Sequence, residues 1–329
     1  MSNFNKDKFY LAPLRGITDR FFRSVYEQHF GPFDYCLAPF VSTVRGDDVR
    51  LCYLKDTLPE HNDTRRLIPQ IIGNETPGFV LLTRKFAELG FKSVNWNLGC
   101  PSPLITKKKR GSGFLPYFDE IKMFLDTTLP QLLLPMSIKV RLGYQQKKDL
   151  ERLIPIFNQY PLKEIIIHPR TGMQMYSGDV DLDSFETCYR LSKHTVVYNG
   201  NLNTPEDLLH LKNRFPELTH WMIGRGLIKH PPLLPLLRGE DRSIFPYSRI
   251  RHFVDDLYRV NSEVLPAAGL LGKMKELWGF LGLGLDSSGE LSNAIVHAST
   301  VDQYKSIVAD FFESFDEDEV APVPITKKI

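Results

Sequence analysis

The sequence has few cysteines, and none of them forms a close pair. Only four occur among 329 residues, and they stand far apart, at Cys36, Cys52, Cys100 and Cys188. Zinc sites and disulfide frameworks require closely spaced or paired cysteines, such as the C-x-x-C motif. We therefore expect reduced thiols and no metal site.

Long apolar runs and a strong net charge are also absent. No uninterrupted apolar stretch approaches the roughly 18 residues of a membrane span, and the polar segment 1–8 lacks the apolar core of a signal peptide. Forty-one basic against 39 acidic residues give a net charge of +2. These features exclude a membrane protein and predict a cytoplasmic one. Nucleic-acid binding would have to rely on local clusters of positive charge.

Strand and helix patterns alternate regularly through the first two-thirds of the chain. Helical spacing of apolar residues occurs between the strands, as in Phe79, Leu82 and Phe86. Eight β-branched or apolar runs predict strands over 9–14, 35–41, 67–72, 93–98, 136–142, 164–168, 195–198 and 221–223. This pattern is typical of the α/β class and of a (β/α)8 TIM barrel. A doubly wound open sheet is the alternative. It is disfavoured because no G-x-G-x-x-G turn follows the first strand.

The alternation stops after Gly226, and helical spacing of Ile250, Phe253 and Leu257 predicts a small helical domain. The chain end is acidic and contains proline, which is typical of disorder. We divide the chain into a catalytic barrel over 1–240, a helical domain over 241–312 and a disordered tail over 313–329.

Polar residues stand where most of the predicted strands end, and in such a barrel the active site lies at those ends. A single buried cation or histidine is usually structural, but several at equivalent positions indicate a site. The glycines after the last two strands fit a phosphate site, although a tight turn explains them equally well. These residues are Gln70, Asn97, Cys100, Lys139, Arg141, His168, Arg170, Asn199, Gly200, Asn201, Gly224, Arg225 and Gly226.

Cys100 lies between Gly99 and Pro101 at one of these strand ends. A thiol with an ordinary pKa near ~8.5 is mostly protonated at neutral pH and can act as a general acid. As a nucleophile it would need a lowered pKa and a base, for which His168 is a candidate. A cysteine in general is more often a small buried residue, but the predicted barrel mouth favours a chemical role.

Two groups of cations provide candidate surfaces for a polyanion. Lys107, Lys108, Lys109 and Arg110 form an uninterrupted run just after Cys100, which predicts a mobile cationic loop beside the mouth. A solvated loop is the simpler explanation. Lys273 and Lys275 flank an apolar helix face, and an ordinary amphipathic helix explains these two equally well.

Taken together, these segments resemble the tRNA-dihydrouridine synthases, which are flavin-dependent enzymes that reduce a uridine of tRNA. The resemblance covers nearly the whole barrel, and the region around Lys275 and Trp278 is most similar to the bacterial C-type subfamily. Pro39 stands where the family usually has an acidic residue. The matching segments are 11–19, 69–73, Asn97-Leu98-Gly99-Cys100-Pro101, Ile138-Lys139-Val140-Arg141, Ile167-His168-Pro169-Arg170-Thr171, 199–201 and 222–226.

The resemblance implies a role for each matching residue. Cys100 would donate a proton to the uracil, and NADPH would reduce the bound FMN, which delivers hydride to the C5–C6 double bond. Residues implied to bind FMN are Ala12, Pro13, Leu14, Gln70, Lys139, His168, Asn199, Gly200, Asn201, Gly224 and Arg225. Residues expected to face the tRNA are Asn97, Arg141, Arg170, Lys107, Lys108, Lys109, Arg110, Lys273 and Lys275.

Two other functions remain open. A barrel flavin oxidoreductase acting on a small enone or pyrimidine would share the flavin site, but it has no use for a cationic loop and a helical appendage. A barrel that only binds RNA would purify without the yellow colour of a flavin. We expect a monomeric enzyme acting on tRNA.

Overall fold

The computed structural model describes residues 6–44, 46 and 48–320, and its architecture is the predicted α/β barrel. All strand pairings within its sheet are parallel. The strands are β1 (Lys8–Leu11), β2 (Tyr35–Leu37), β3 (Val41–Ser42), β4 (Leu67–Ile68), β5 (Gln70–Ile72), β6 (Val94–Leu98), β7 (Met136–Gly143), β8 (Glu164–Thr171), β9 (Thr195–Tyr198) and β10 (His220–Ile223).

These ten segments occupy eight positions of a closed ring. Strand β2 pairs with β4 while β3 pairs with β5, and β1 pairs with both β2 and β10. The predicted strands over 35–41 and 67–72 are therefore each divided in two. Pro39 and Pro69 lie at the two breaks, and proline has no N–H to donate to a neighbouring strand.

Helices cover the outside of the ring between successive strands. Buried side chains recur at helical spacing along them, as with Phe22, Val25, Tyr26 and Phe30 of the first helix. The helices are α1 (Arg20–Phe30), α2 (Thr76–Glu88), α3 (Pro103–Thr106), α4 (Phe118–Thr128), α5 (Asp149–Phe157), α6 (Leu182–Leu191), α7 (Pro205–Arg214), α8 (Arg225–Lys229) and α9 (Leu233–Leu237). In the described part of the crossover between β3 and β4, three 3₁₀ turns (Leu51–Tyr53, Lys55–Thr57 and Pro59–His61) replace an α-helix.

Four further helices form the C-terminal region and pack against one side of the barrel: α10 (Tyr247–Ser262), α11 (Ala267–Leu285), α12 (Glu290–His297) and α13 (Val301–Glu313). Phe253 of α10 lies among the aromatic rings of α1, with centroids 5.2 Å from Phe30 and 5.8 Å from Phe22. Helix α11 approaches α8 so closely that a Cβ on Gly284 would lie 1.8 Å from the Lys229 carbonyl oxygen. The C-terminal helices are therefore joined to the barrel by tight packing.

Part of the predicted tail is described. The Tyr247 N–H donates to the Glu319 carbonyl at 2.7 Å, and Pro246 forms an isolated antiparallel bridge with Val320. Residues 321–329 lie outside the described residues.

The inside of the barrel has an apolar half and a polar half. Tyr10, Leu37, Ile166, Val197 and Met222 form a small apolar cluster separate from the main core between strands and helices. The strands β5, β6 and β7 instead carry polar side chains at their inward positions: the buried Gln70, Asn95, Asn97 and Ser137 and the half-buried Lys139. Buried polar groups cost free energy unless they are paired or serve a ligand. The polar half therefore marks the side where a site is expected.

Within the described ranges, no helix is both long and apolar enough to cross a membrane, and no cluster of three metal-ligating side chains occurs. The four cysteines are free thiols.

Candidate active site

A cavity of about 360 Å³ opens at the carboxyl ends of the strands. Its volume falls within the ordinary range for sites that bind small molecules and cofactors. Fifteen of the residues predicted from sequence line it: Ala12, Pro13, Leu14, Asn97, Cys100, Lys139, Arg141, His168, Arg170, Asn199, Gly200, Asn201, Gly224, Arg225 and Gly226. The other seven do not: Gln70, Lys107, Lys108, Lys109, Arg110, Lys273 and Lys275.

The Cys100 turn is braced from both sides. The side-chain oxygen of Asn97 accepts hydrogen bonds from the N–H groups of Gly99 and Cys100, at 3.0 and 2.9 Å. The N–H and hydroxyl of Ser112 both donate to the Cys100 carbonyl, at 3.0 and 3.1 Å. Gly111 has φ +57, and a Cβ there would lie 2.5 Å from the same carbonyl oxygen. The turn therefore holds the thiol in a fixed place at the cavity wall.

A chain of amide hydrogen bonds leads from the barrel interior to this turn. Ser137 accepts from Asn95 at 2.8 Å, Asn95 accepts from Gln70 at 2.7 Å, and Gln70 accepts from Asn97 at 2.7 Å. Gln70 is fully buried beneath the cavity floor, so its amide supports Asn97. Because the carboxamides of Gln70, Asn95 and Asn97 each donate and accept, these hydrogen bonds fix how Asn97 presents its oxygen to the Cys100 turn.

Lys139 is half-buried beside Cys100 at the cavity wall, and none of the described residues accepts a hydrogen bond from its ammonium group. Burial, aided by the nearby positive charge of Arg141, lowers the pKa of Lys139 to about 7. An unpartnered and partly desolvated ammonium is costly, which favours an anionic group of a ligand as its missing partner.

Burial raises the pKa of the Cys100 thiol above its ordinary value, against a lowering effect of the neighbouring cations Arg141, Arg15 and Lys139. The thiol therefore stays protonated at neutral pH. This state suits a proton donor, whereas a nucleophile would need a thiolate.

Arg141 ties two loops together with its buried guanidinium. Its Nε donates to the Gly99 carbonyl at 2.9 Å, and its Nη1 donates to the carbonyls of Thr171 and Met175 at 2.8 and 2.5 Å. These bonds join the Cys100 turn to the loop after β8. Sequence reasoning expected this side chain to face a substrate, and its donors are largely occupied by the backbone.

His168 is neutral and has a defined tautomer. Burial and the surrounding cations, with Arg141 first among them, hold its pKa well below the usual range. The Arg170 guanidinium, which can only donate, lies 3.0 Å from the histidine Nε2, so that nitrogen accepts and the ring proton is on Nδ1. Arg170 also donates to the Gly178 carbonyl and to Asn201.

Tyr176 is a cavity residue that sequence reasoning missed. Its ring is 47% exposed, and the guanidinium carbons of Arg225 and Arg141 lie 4.6 and 5.2 Å from the ring centroid. It stands in the loop after β8, and no motif or spacing marks this position. Three further residues that no sequence pattern indicated also line the cavity: Phe40, Glu276 and Phe280.

The cavity is strongly cationic. Glu276 is the one carboxylate among its lining residues, and the cations are Arg15, Lys139, Arg141, Arg170 and Arg225. This balance favours an anionic ligand with an aromatic or planar part against Tyr176.

The sequence profile of one protein family, described as dihydrouridine synthase (Dus), matches residues 10–302. The match spans the barrel and most of the C-terminal helices. This chain belongs to the dihydrouridine synthase family.

Two relatives show how far the sequence of this chain differs from those of other dihydrouridine synthases. tRNA-dihydrouridine synthase B of Pasteurella multocida is 24% identical over 240 residues, covering 71% of this chain and 70% of its own. A probable tRNA-dihydrouridine synthase of Staphylococcus aureus is 23% identical and covers 94% of both chains. Because the first relative is named a B-type enzyme, the C-type resemblance of the helical segment stays a prediction.

Among solved structures, histamine dehydrogenase from Rhizobium sp. 4-9 superposes with a TM-score of 0.50 at 11% identity. The superposition covers 76% of this chain and 48% of the other. At this sequence identity the structural similarity concerns the fold alone, and it is consistent with the barrel described above.

In this chain the predicted cationic loop lies beside the Cys100 turn, and two of its four cations are paired. Lys109 forms an ion pair with Glu120 at 3.0 Å, and Arg110 forms one with Glu75 at 3.1 Å. Lys107 and Lys108 are exposed, and no described residue accepts a hydrogen bond from their ammonium groups.

The two predicted helix lysines also differ. Lys273 donates to the Gly16 carbonyl at 2.5 Å and pairs with Asp19. Lys275 is half-buried, and the described part of the chain offers its ammonium no partner.

Proposed function

We propose that this protein is an FMN-dependent tRNA-dihydrouridine synthase that uses NADPH as reductant and acts on tRNA in the cytoplasm. The observation that most strongly supports the proposal is that two functional groups line the same cavity. The unpartnered ammonium of Lys139 and the protonated thiol of Cys100 both line it, within the barrel of a dihydrouridine synthase.

The residues present fit a flavin mononucleotide. Lys139 supplies the half-buried positive charge that an electron-rich ring edge would neutralise, and it lacks any other partner among the described side chains. Gly200 and Gly224 lie at the ends of β9 and β10 next to Arg225, a combination suited to a phosphate. Ala12, Pro13 and Leu14 would form the wall against the ring.

When bound and reduced, the flavin supplies the hydride that the uracil accepts at C6. The chain's own residues supply the rest. Cys100 holds the proton that C5 of the uracil takes up, so that the C5–C6 double bond gains one hydride and one proton. Asn97 and the amide chain behind it keep the thiol at a fixed place, as an acid with a specific target atom requires.

The target uridine has to leave its base stack to enter a cavity at the barrel mouth. Tyr176, with cations beside its ring, offers a flat surface for a base. Among the cations predicted to face tRNA, the exposed Lys107 and Lys108 and the half-buried Lys275 have no partner in the described ranges. These three are therefore the candidates for phosphate contacts.

The proposal is tested by sequencing dihydrouridine positions in tRNA from a strain that lacks this protein. We expect at least one position to revert to uridine, with recovery on expression of the wild-type protein but not of Cys100→Ala. Unchanged dihydrouridine at every position would contradict the proposal. The small-molecule alternative would be favoured if the purified protein turned over free uridine or an enone as fast as tRNA.

A further inference from the structure

The cavity at the barrel mouth is built by both parts of the chain. Residues 12–19 of the barrel follow β1, and we call them the first loop. From this loop Ala12, Leu14 and Ile17 line the cavity, and α11 contributes Glu276 and Phe280. Gly16 in the first loop has φ +83, and a Cβ on it would lie 2.5 Å from a carboxylate oxygen of Glu276. The loop and the helix are therefore in direct contact at the edge of the cavity.

Lys273 joins the two parts at this point. Its ammonium donates to the Gly16 carbonyl at 2.5 Å and forms an ion pair with Asp19. The other oxygen of Asp19 accepts from the Phe22 N–H at 3.1 Å and so caps helix α1. The Lys273 side chain is only 17% exposed. Its charge is already neutralised within the chain, and little of it is open to a polyanion.

The first loop is held at several points. The Leu14 N–H donates to the Thr18 hydroxyl at 2.8 Å, and that hydroxyl donates to the Ala12 carbonyl at 3.1 Å. From the barrel side, the buried Arg23 donates to the Thr18 carbonyl at 2.8 Å. Lys273 supplies the corresponding bond from the helical side. The loop is thus fixed between a barrel cation and a helical-domain cation.

The seam around this contact is closely packed. Ile17 and Phe22 from the barrel meet Leu257, Met274 and Leu277 from the helices, and the void among them is about 10 Å³. A void of this size is too small to hold more than one water molecule. Movement of α11 is therefore transmitted to the first loop and not absorbed by loose packing.

Lys275, two residues along the same helix, has none of these contacts in the described structure. The two lysines looked alike in sequence, yet one reaches back to the barrel and the other is free for a ligand.

We propose that Lys273 is a positioning residue of the flavin site, which fixes the first loop from the helical domain and does not bind tRNA. This inference rests on the proposed function only in taking the first loop as a wall of the flavin site. The helical domain then has a second task beside tRNA binding, namely completing the cofactor site.

The experiment compares Lys273→Met with Lys275→Met in the full-length chain by hydrogen–deuterium exchange of residues 12–19. In Lys273→Met we expect the amides of Leu14, Ile17 and Thr18 to exchange roughly tenfold faster, since a charge-assisted hydrogen bond to the loop is lost. In Lys275→Met we expect exchange at the wild-type rate. Asp19→Asn, which keeps the helix cap, should show the same direction of change with a smaller size.

A second readout is the dissociation constant for FMN, which we expect to rise roughly tenfold in Lys273→Met and to stay constant in Lys275→Met. The salt dependence of tRNA binding should fall only in Lys275→Met. Unchanged loop exchange and FMN affinity in Lys273→Met, together with a reduced salt dependence, would overturn the inference. A wild-type protein that binds FMN but leaves tRNA unmodified would instead contradict the proposed function, and the loop exchange would still test Lys273.

Discussion

The surroundings of Lys139 disfavour the positively charged form of its side chain. The side chain is half-buried on an inward position of β7, close to the cation Arg141, and the described residues offer it no acceptor. Its pKa of about 7 means that in the ligand-free protein it is mostly neutral at pH 8. A negatively charged group bound beside it would raise that pKa and draw a proton from solvent.

Flavin binding should therefore be coupled to proton uptake through Lys139. At pH 8 we expect the wild-type protein to take up to about one proton more than Lys139→Met when FMN binds. At pH 6 the difference should nearly vanish, because Lys139 is already protonated there. Isothermal titration calorimetry in two buffers of different ionisation enthalpy measures the uptake. Equal proton uptake by both proteins at pH 8 would show that Lys139 does not meet the ligand's charge.

At this scale, reactive residue types at strand ends predicted side chains that the structure brings together. Cys100 and Lys139 both line the cavity, and their roles stay predictions. The expected contact of Gln70 with the ring stays a prediction, and its amide is already bonded to Asn95 and Asn97. Tyr176 could not be found, because a tyrosine in an irregular loop follows no period.

At the scale of secondary-structure elements, the loop over 107–113 carries two cations that form ion pairs and two that have no partner among the described residues. Lys109 and Arg110 are paired with Glu120 and Glu75, which lie on other elements. The sequence shows the run of cations but not which distant carboxylates will meet it. For that reason the sequence could predict that the four cations form a surface for RNA. It could not predict which of them are paired with carboxylates in the folded chain.

This division predicts different effects on tRNA binding. The double variant Lys107→Met/Lys108→Met should lower the slope of log affinity against log salt by roughly 1.5–2. Lys109→Met, the matched control, should leave the slope nearly unchanged and have little effect on stability, because its ion pair with Glu120 is exposed to solvent. Filter binding or fluorescence anisotropy at several salt concentrations measures the slope. A larger loss of slope in the control than in the double variant would contradict the assignment.

At the scale of the whole molecule, the closed ring of strands was predictable because eight apolar runs alternate with helical periods. The breaks at Pro39 and Pro69 are local effects that also follow from proline chemistry. How the C-terminal helices join the barrel was not predictable. The contacts of Phe253 with α1 and of Gly284 with α8 arise between segments more than 50 residues apart, and no pattern in either segment indicates the other.

His230 lies in the connection between α8 and α9, next to this junction. It is 2% exposed, and neither ring nitrogen has a hydrogen-bond partner within the described structure. Burial, aided by the nearby charge of Arg242, lowers the pKa of His230 from 6.5 to about 4. The unfolded chain therefore binds a proton at this residue in a pH range where the folded protein does not, so stability falls as pH drops from 6.5 towards 4.

His230→Leu should remove this part of the pH dependence. Between pH 7.5 and pH 5 we expect the wild-type free energy of unfolding to fall by about 2 kcal/mol more than that of the variant. Urea unfolding at the two pH values measures the difference. Parallel losses in both proteins would show that the histidine is not held neutral by the fold.

The proposed activity depends on Cys100 delivering a proton inside a flavin barrel. Its most direct test is the anaerobic reaction of FMN-loaded, chemically reduced protein with tRNA that lacks dihydrouridine, followed by flavin absorbance and by mass spectrometry of the tRNA. We expect reoxidation of the flavin with equal formation of dihydrouridine in the wild type. In Cys100→Ala we expect full flavin content but a rate lower by about 10²–10⁴-fold, the usual contribution of a general acid. A Cys100→Ala protein that forms dihydrouridine at the wild-type rate would contradict the account.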